Sequence, residues 1–427
     1  MGQGVDRGSG VLPPRNSRRS LLRLGAAVAG GAILGRAGRA AGETSPPGEP
    51  EWSQTIGAGV VDRPYGMPSE FEKEVIRRDV PWLTASKESS VSFTPLQSLN
   101  GIITPNGLFF ERFHAGRVDV DPRQHRLLIH GLVERPLVLT MDDIVRFPSV
   151  SRIHFIECPA NGGMEWREAQ LNSLQFTHGM IGCAEWTGVP LSTLLEEVGL
   201  KKEARWVMVE GADGARMNRS LPLAKCLDDC LVVYAQNGEA LRPEQGYPLR
   251  ILVPGWQGNV SVKWLRRIKV DDAPWFSREE TSKYTELMSD GKARGFTWVN
   301  EAKSVITFPC PEKPVAATGL YEIRGLAWSG RGKVKQVDVS VDGGVNWQTA
   351  QLHDPILSKA LTRFSLPWRW DGRPALLQSR AIDETGYVQP TIAQLRKVRG
   401  TNPIYHNNSI QTWQVKPDGS VFNVQLG

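Results

Sequence analysis

Cys158 ends an apolar run, Ile153-His154-Phe155-Ile156-Glu157, and opens Pro159-Ala160-Asn161-Gly162-Gly163, a turn rich in residues that let backbone approach a ligand closely. A thiolate presented from a strand end is a soft donor suited to a transition metal. The same placement suits a buried cysteine before a turn, so residue type alone leaves both readings open. The other four cysteines carry less. Cys226 and Cys230 form a C-x3-C pair without a second ligand pair, which reads as helix neighbours or a disulfide rather than a zinc site. Cys183, beside Gly182 and Ala184, and Cys310, between prolines, read as structural. No C-x-x-C-H, no G-x-G-x-x-G between a strand and a helix, no G-x-S-x-G and no H-E-x-x-H is found. A self-contained haem protein, a nicotinamide enzyme, a serine hydrolase and a zinc protease all lose support.

The elements that must position these residues are legible in the hydrophobic pattern. From 100 to 304, short strand-like runs at 126–130, 153–156, 206–209, 231–234 and 249–253 alternate with short helical ones. One helix is clear, with Leu191, Leu194, Leu195 and Val198 on one face, Pro190 at its start and Gly199 at its stop. This predicts a mixed α+β domain. Past Val305 helical periodicity vanishes. Val337, Val339 and Val341 alternate with polar residues, and Asp342-Gly343-Gly344 predicts a hairpin returning through Val345 to Trp347. Further runs at 321–328, 363–370 and 376–382 predict an immunoglobulin-like β-sandwich over 305–427. Residues 43–99 read as an extended linker and wrapping segment.

The chain has 427 residues, 51 Lys+Arg against 45 Asp+Glu, and a net charge of +6. Residues 1–42 hold seven of those arginines and one acid; without them 44 basic and 44 acidic residues remain. The excess is therefore local, and neither a nucleic-acid nor a membrane-surface reading keeps its support. Ser17-Arg18-Arg19-Ser20-Leu21-Leu22, an Ala/Gly/Leu run and small residues to Gly42 read as a twin-arginine export signal. The apolar run is too short for a bilayer span, which takes about 20 residues. Periplasmic location is the expectation.

The string Ile156-Glu157-Cys158-Pro159-Ala160-Asn161-Gly162 resembles the cysteine turn of the sulfite oxidase family of molybdenum enzymes. More segments follow in the family's order. Phe110-Glu111-Arg112-Phe113-His114 resembles its Arg-Asn-His stretch, and Val209-Glu210-Gly211-Ala212-Asp213 its acidic pterin-contacting loop. Gly246 to Arg250, Val253-Pro254-Gly255 and Ser261 to Leu265 resemble its pterin-phosphate segment, and Tyr284 stands where the family keeps an active-site tyrosine. Strings such as Thr281-Ser282-Lys283-Tyr284, Asp383 to Tyr387 and Tyr405-His406-Asn407-Asn408 resemble the sulfane dehydrogenase subfamily of thiosulfate oxidation.

The resemblance implies a molybdenum held by a molybdopterin dithiolene and by the Cys158 thiolate. Arg112 and Tyr284 are then catalytic; Asn161, His114, Asp213, Gln245, Arg250, Ser261 and Lys263 bind the cofactor. A pterin phosphate is a dianion, which a guanidinium at Arg250, an ammonium at Lys263 and backbone N–H groups at Gly255 and Gly258 suit. Gln245 stands where many relatives have a pterin-contacting histidine, and its amide can still donate. Where sulfite oxidases continue with arginines after the turn, this chain has Gly162 and Gly163. Losing two cations disfavours a small dianion and predicts room for a larger substrate, sulfane sulfur on a carrier-protein cysteine.

With no haem motif in the chain, the resemblance implies a separate c-type cytochrome as acceptor, and a homodimer through the C-terminal sandwich. The alternatives are a free-sulfite dehydrogenase and a non-catalytic exported binding protein.

Overall fold

The computed structural model describes residues 68–80, 90–400 and 403–426. The expected export signal and the first part of the expected linker lie outside these residues. Among the described residues no helix is long and apolar enough to cross a membrane.

Three sheets and a two-stranded ribbon, Glu286–Leu287 with Ala293–Arg294, build the first half. A small antiparallel sheet joins Arg78–Asp79, Val91–Phe93 and Glu111–Arg112. Val91 and Phe93, with Val80 just past the first strand, are buried with Phe109, Ile156 and Trp186, so this stretch is packed into the core rather than laid over it. The second sheet runs Glu239–Ala240, Leu231–Gln236, Ile181–Pro190, Val150–Glu157, with Arg250–Leu252 also paired to Leu231–Gln236. The third runs Leu137–Leu139, Leu127–Gly131, Leu265–Asp271, Trp206–Gly211, Asn218–Pro222. Its Leu127–Gly131 and Leu265–Asp271 strands are parallel. The predicted helix forms over Leu191–Val198, burying all four predicted leucine and valine positions and ending at Gly199, whose φ of +68° suits a residue without Cβ.

The second half is a β-sandwich, as expected. One sheet runs Lys303–Phe308, Gly319–Trp328, Thr362–Trp370, Gln351–His353; the other runs Gln348–Thr349, Val334–Ser340, Ala375–Asp383, Thr412–Val415, Val421–Val424. Inward residues such as Val337, Val339, Leu377, Ala381 and Trp413 are fully buried, the period-2 pattern of a half-buried strand.

Two expectations need correction. The hairpin's return strand is Gln348–Thr349, paired to Asp338 and Val339. Val341 to Trp347 form a loop, because the Asp342 carboxylate accepts the backbone N–H groups of Val345 and Asn346 and draws that stretch off the ladder. A helix also occurs past Val305, at Ile392–Arg399, started by a Thr391/Gln394 capping box. Only Ile392 and Leu395 give it an apolar stripe, packed on Trp166, too narrow to register as periodicity.

The two halves share a core. Leu96, Ile102, Phe155, Leu174, Ile181 and Cys183 from the first pack with Val305, Trp328, Leu361 and Trp413 from the second.

Candidate active site

The strand Val150–Glu157 delivers Cys158 to the end of its sheet, where backbone hydrogen bonds fix the turn. Cys158 N–H donates to Met180 O, Asn161 N–H to Cys158 O and Gly162 N–H to Thr177 O, each at 2.9 Å. Cys158 opens onto a cavity of about 80 Å³. Arg112, His114, Asp213, Gln245, Arg250, Ser261, Lys263 and Tyr284 line it with the cysteine. Nine of the ten residues proposed from sequence thus meet at one place, gathered from strand ends and loops of all three sheets.

Asn161 is the exception. Its amide donates to Glu157 Oε1 at 2.9 Å and its carbonyl accepts Met180 N–H at 3.0 Å. It is buried beneath the turn and shapes it, because both ends of its side chain are spent there. Gly255 also departs from expectation: a Cβ there would lie 2.3 Å from Gly330 O, so this glycine serves close backbone contact with the sandwich. Gly258 does line the cavity.

Burial raises the Cys158 thiol above its ordinary range, against the pull of Arg112 and Lys263. A bound metal cation is what would turn such a thiol into a thiolate ligand. Among the described residues no three His, Cys, Asp or Glu side chains cluster to hold an ion by themselves, so a metal on Cys158 would take its other donors from the group carrying it.

The phosphate end tests whether that group fits. Arg250 is 3% exposed. Its guanidinium donates to Gln245 O at 3.0 Å and Ser261 O at 2.8 Å, while its Nε has no partner among the described residues. Lys263 donates to Arg112 O at 3.1 Å and Glu244 O at 2.9 Å, leaving a third proton unspent. Burial pulls Arg250 down to about 9; burial, then the nearby Arg250, pulls Lys263 down to about 7. Two desolvated cations satisfied only by neutral groups fit an anionic group such as a phosphate. Gln245 uses one amide proton on Phe110 O at 2.9 Å, and its Oε1 accepts from Arg250 Nη1 at 3.3 Å. Ser261 Oγ accepts Val253 N–H, and Asp213 Oδ1 accepts Met217 N–H; both side chains order the loops they belong to.

Opposite Cys158, three side chains form a directed chain. Arg112 Nη2 lies 3.4 Å from His114 Nδ1, and His114 Nε2 lies 2.7 Å from the Tyr284 hydroxyl. A guanidinium only donates, so His114 Nδ1 accepts and Nε2 carries the proton toward Tyr284. Burial, then Arg112, holds His114 down to about 4, keeping it neutral. Burial, then Cys158, pushes the Tyr284 phenol far up, so it keeps its proton. Having accepted from His114, Tyr284 is free to donate that proton into the cavity, to a developing oxyanion or a bound water. Its ring is held between the Arg219 guanidinium, 5.3 Å from the ring centre, and Tyr405, 5.0 Å between ring centres.

Sequence reasoning missed the residues that support the turn from the sandwich. Lys303 Nζ lies 3.1 Å from Glu157 Oε1 and 3.0 Å from Asn161 O, and Trp328 Nε1 donates to Glu157 Oε2 at 2.8 Å. A lysine opening a β-strand gives no signal of this in sequence.

Comparison with known proteins agrees with the geometry. The family model for the oxidoreductase molybdopterin binding domain matches residues 114–279, and that for the Mo-co oxidoreductase dimerisation domain matches 294–413. The fold and site define a molybdopterin-dependent oxidoreductase. The chain belongs to the sulfite oxidase family of these molybdenum enzymes. The crystal structure of the sulfane dehydrogenase SoxCD from Paracoccus pantotrophus is 53% identical, with a TM-score of 0.86 over 90% of this chain and 100% of that one. Mitochondrial sulfite oxidase from Mus musculus is 31% identical over 77% of this chain. NADH nitrate reductase from Ulva prolifera is also 31% identical, over 58% of this chain. The chain spans 65% of the length of the mouse enzyme and 32% of the algal one. The cofactor these findings imply is a molybdenum carried by molybdopterin; Cys158 would be the protein's ligand to the metal, and Arg250 and Lys263 would hold the phosphate. When bound it supplies two-electron oxidation with oxygen drawn from water.

Proposed function

We propose that the protein is a periplasmic sulfane dehydrogenase that oxidises sulfur carried on a cysteine of a partner protein. The observation that carries this is the convergence of Cys158, the Arg112–His114–Tyr284 chain and the Arg250/Lys263 pair on one cavity. The 53% identity to the sulfane dehydrogenase, across 90% of the chain, supports carried sulfur over free sulfite. Each oxygen added to the sulfur consumes one water and releases two protons and two electrons. Tyr284 orients the oxygen, and Arg112 offsets negative charge as it grows. The electrons leave to a separate c-type cytochrome, and the sandwich pairs two copies of the chain. Arg18-Arg19 and the apolar run after them support export in the folded state.

Metal analysis of the purified protein tests the chemistry. About one molybdenum per chain is expected, lost in Cys158→Ala; a folded, metal-free native protein would sink the enzyme reading. Cytochrome c reduction tests the substrate. Turnover with a persulfidated carrier protein supports the proposal, and turnover with free sulfite alone assigns the site to sulfite.

A further inference from the structure

The space that the sequence assigned to a larger substrate at Gly162 and Gly163 is taken by the chain itself. Neither glycine lines the cavity. A Cβ on Gly163 would lie 2.7 Å from Ile404 O, and one on Gly162, at φ +78°, would lie 3.4 Å from Asn407 O and 3.1 Å from Lys303 Nζ. Segment 403–408 crosses the cysteine turn there, with His406 N–H donating to Pro159 O at 2.7 Å. A buried cation does stand next to the site, but against the ring of Tyr284.

That cation is Arg219, in the edge strand Asn218–Pro222 of the third sheet and 1% exposed. Its guanidinium carbon sits over the Tyr284 ring, 5.3 Å from the ring centre. Its charge is balanced by Glu280, whose Oε1 lies 3.7 Å from Arg219 Nε, an ion pair without a hydrogen bond. The carboxylate spends its oxygens on the N–H and hydroxyl of Ser220 and on Ser277 N–H. Arg219 Nε and Nη1 have no hydrogen-bond partner among the described residues. A guanidinium desolvated to this degree is costly unless something besides Glu280 receives it, and the electron-rich face of the phenol is the group in place to do so.

Glu280 ties the same strand to the tyrosine's own segment. With Ser277 it forms the capping box that starts the short helix Arg278–Thr281, and Tyr284 follows two residues after the C-cap of that helix, Ser282. Tyr284 has a φ of +52°, a left-handed backbone that a bulky residue keeps only where its surroundings enforce it. The strand Asn218–Pro222 thus meets the tyrosine twice, at the helix before it through Glu280 and at the ring through Arg219. The ring carries the hydroxyl that lies 2.7 Å from His114 Nε2, so a tilt of the ring moves that hydroxyl out of line with His114.

We propose that Arg219 is a positioning residue for the oxidation, holding the Tyr284 ring by its face so that the hydroxyl meets His114 and points into the cavity. This rests on the role given to Tyr284 above. Arg219 does not line the cavity, so it acts through Tyr284, and its loss lowers kcat rather than raising KM.

The test uses the full-length, molybdenum-loaded protein. Arg219→Leu is combined with Glu280→Gln so that no buried charge is stranded, and a glutamine there keeps an accepting oxygen for the capping box. kcat is read by cytochrome c reduction with whichever substrate, persulfidated carrier protein or free sulfite, the wild-type enzyme turns over. The paired variant is expected to lower kcat about five- to tenfold with KM within about twofold of wild type. In a Tyr284→Phe background, where no hydroxyl is left to place, the same pair is expected to change kcat by less than about twofold. Glu280→Gln alone, which leaves the guanidinium on the ring, is expected to stay within about twofold of wild type. A crystal structure of the paired variant is expected to show the Tyr284 hydroxyl beyond hydrogen-bond reach of His114 Nε2. Equal losses in the two backgrounds, an unchanged kcat, a loss in Glu280→Gln as large as the pair's, or a hydroxyl still in place overturns the proposal. Should the paired variant fail to fold or to hold molybdenum, Arg219→Lys takes its place, keeping a charge opposite Glu280 without the planar group on the ring. The comparison of backgrounds and the hydroxyl position then decide. A Tyr284→Phe variant that itself leaves kcat unchanged overturns the role of Tyr284, a result distinct from a Tyr284→Phe loss to which the Arg219 loss simply adds.

Discussion

In the proposed reaction Tyr284 would act through one proton whose direction is set two residues away. Arg112 has nothing but donors to offer, so His114 must accept on one nitrogen and donate on the other, and the phenol is left pointing its own proton at the cavity. Removing that proton while keeping the ring isolates the effect. Tyr284→Phe is expected to lower kcat roughly 10²-fold, with KM and molybdenum content close to wild type. Because burial drives the phenol's ionisation well above the neutral range, the variant's pH profile between about 6 and 9 should keep the wild-type shape. Steady-state kinetics across that range decide the matter. A large rise in KM would mean that Tyr284 binds substrate rather than assisting the chemistry.

At the scale of elements, the short helix Gly163–Arg167 that follows the cysteine turn carries a buried acid. Glu165 is 4% exposed and accepts one hydrogen bond, from Asn423 Nδ2 at 3.1 Å. Burial lifts its carboxyl to about 7, with the Asn423 bond pulling weakly the other way. The folded value stands above the unfolded one near 4.5, so the associated stability is fully present below about 4.5 and is lost as pH rises through about 7. Glu165→Gln should therefore raise the unfolding midpoint by a few degrees at pH 8 and leave it unchanged at pH 4.5. The free-energy gain at pH 8 is at most about 3 kcal/mol. Equal shifts at both pH values would remove the titration argument.

The same scale shows where sequence was informative. Strands such as Val150–Glu157 and Trp206–Gly211 were legible because alternation and β-branched content are local properties. The helix Leu191–Val198 was legible from its single apolar face. So was the order of the cofactor segments, because residue types at fixed places in the chain carry their own chemistry. Asn161, Gly162 and Gly163 were misjudged because their neighbours come from segments far along the chain: Met180 for the first, Asn407 and Ile404 for the glycines. Nothing within a few residues of the turn announces a segment that crosses it from beyond 400. Helix Ile392–Arg399 escaped for the opposite reason: its capping box is local, but its buried stripe is only one turn deep.

Across the whole molecule, the catalytic turn leans on the sandwich through one buried charge pair. Lys303 and Glu157 are 2% and 7% exposed at the side chain, 3.1 Å apart, with Trp328 and Asn161 completing the carboxylate's bonds. Lys303→Met would strand a buried carboxylate, a loss of about 3–5 kcal/mol. Combining it with Glu157→Gln should recover most of that. Thermal unfolding of the single and double variants measures both steps, and a single variant as stable as wild type would show the pair to be incidental. The pairing also constrains how such enzymes can be recombined. Grafting another family member's sandwich onto this catalytic half would succeed only if Lys303, Trp328 and the segment 403–408 travelled with the cysteine turn as one cassette. A chimera cut between the domains would bring a new floor under the turn, shifting Cys158 without touching a residue that lines the cavity.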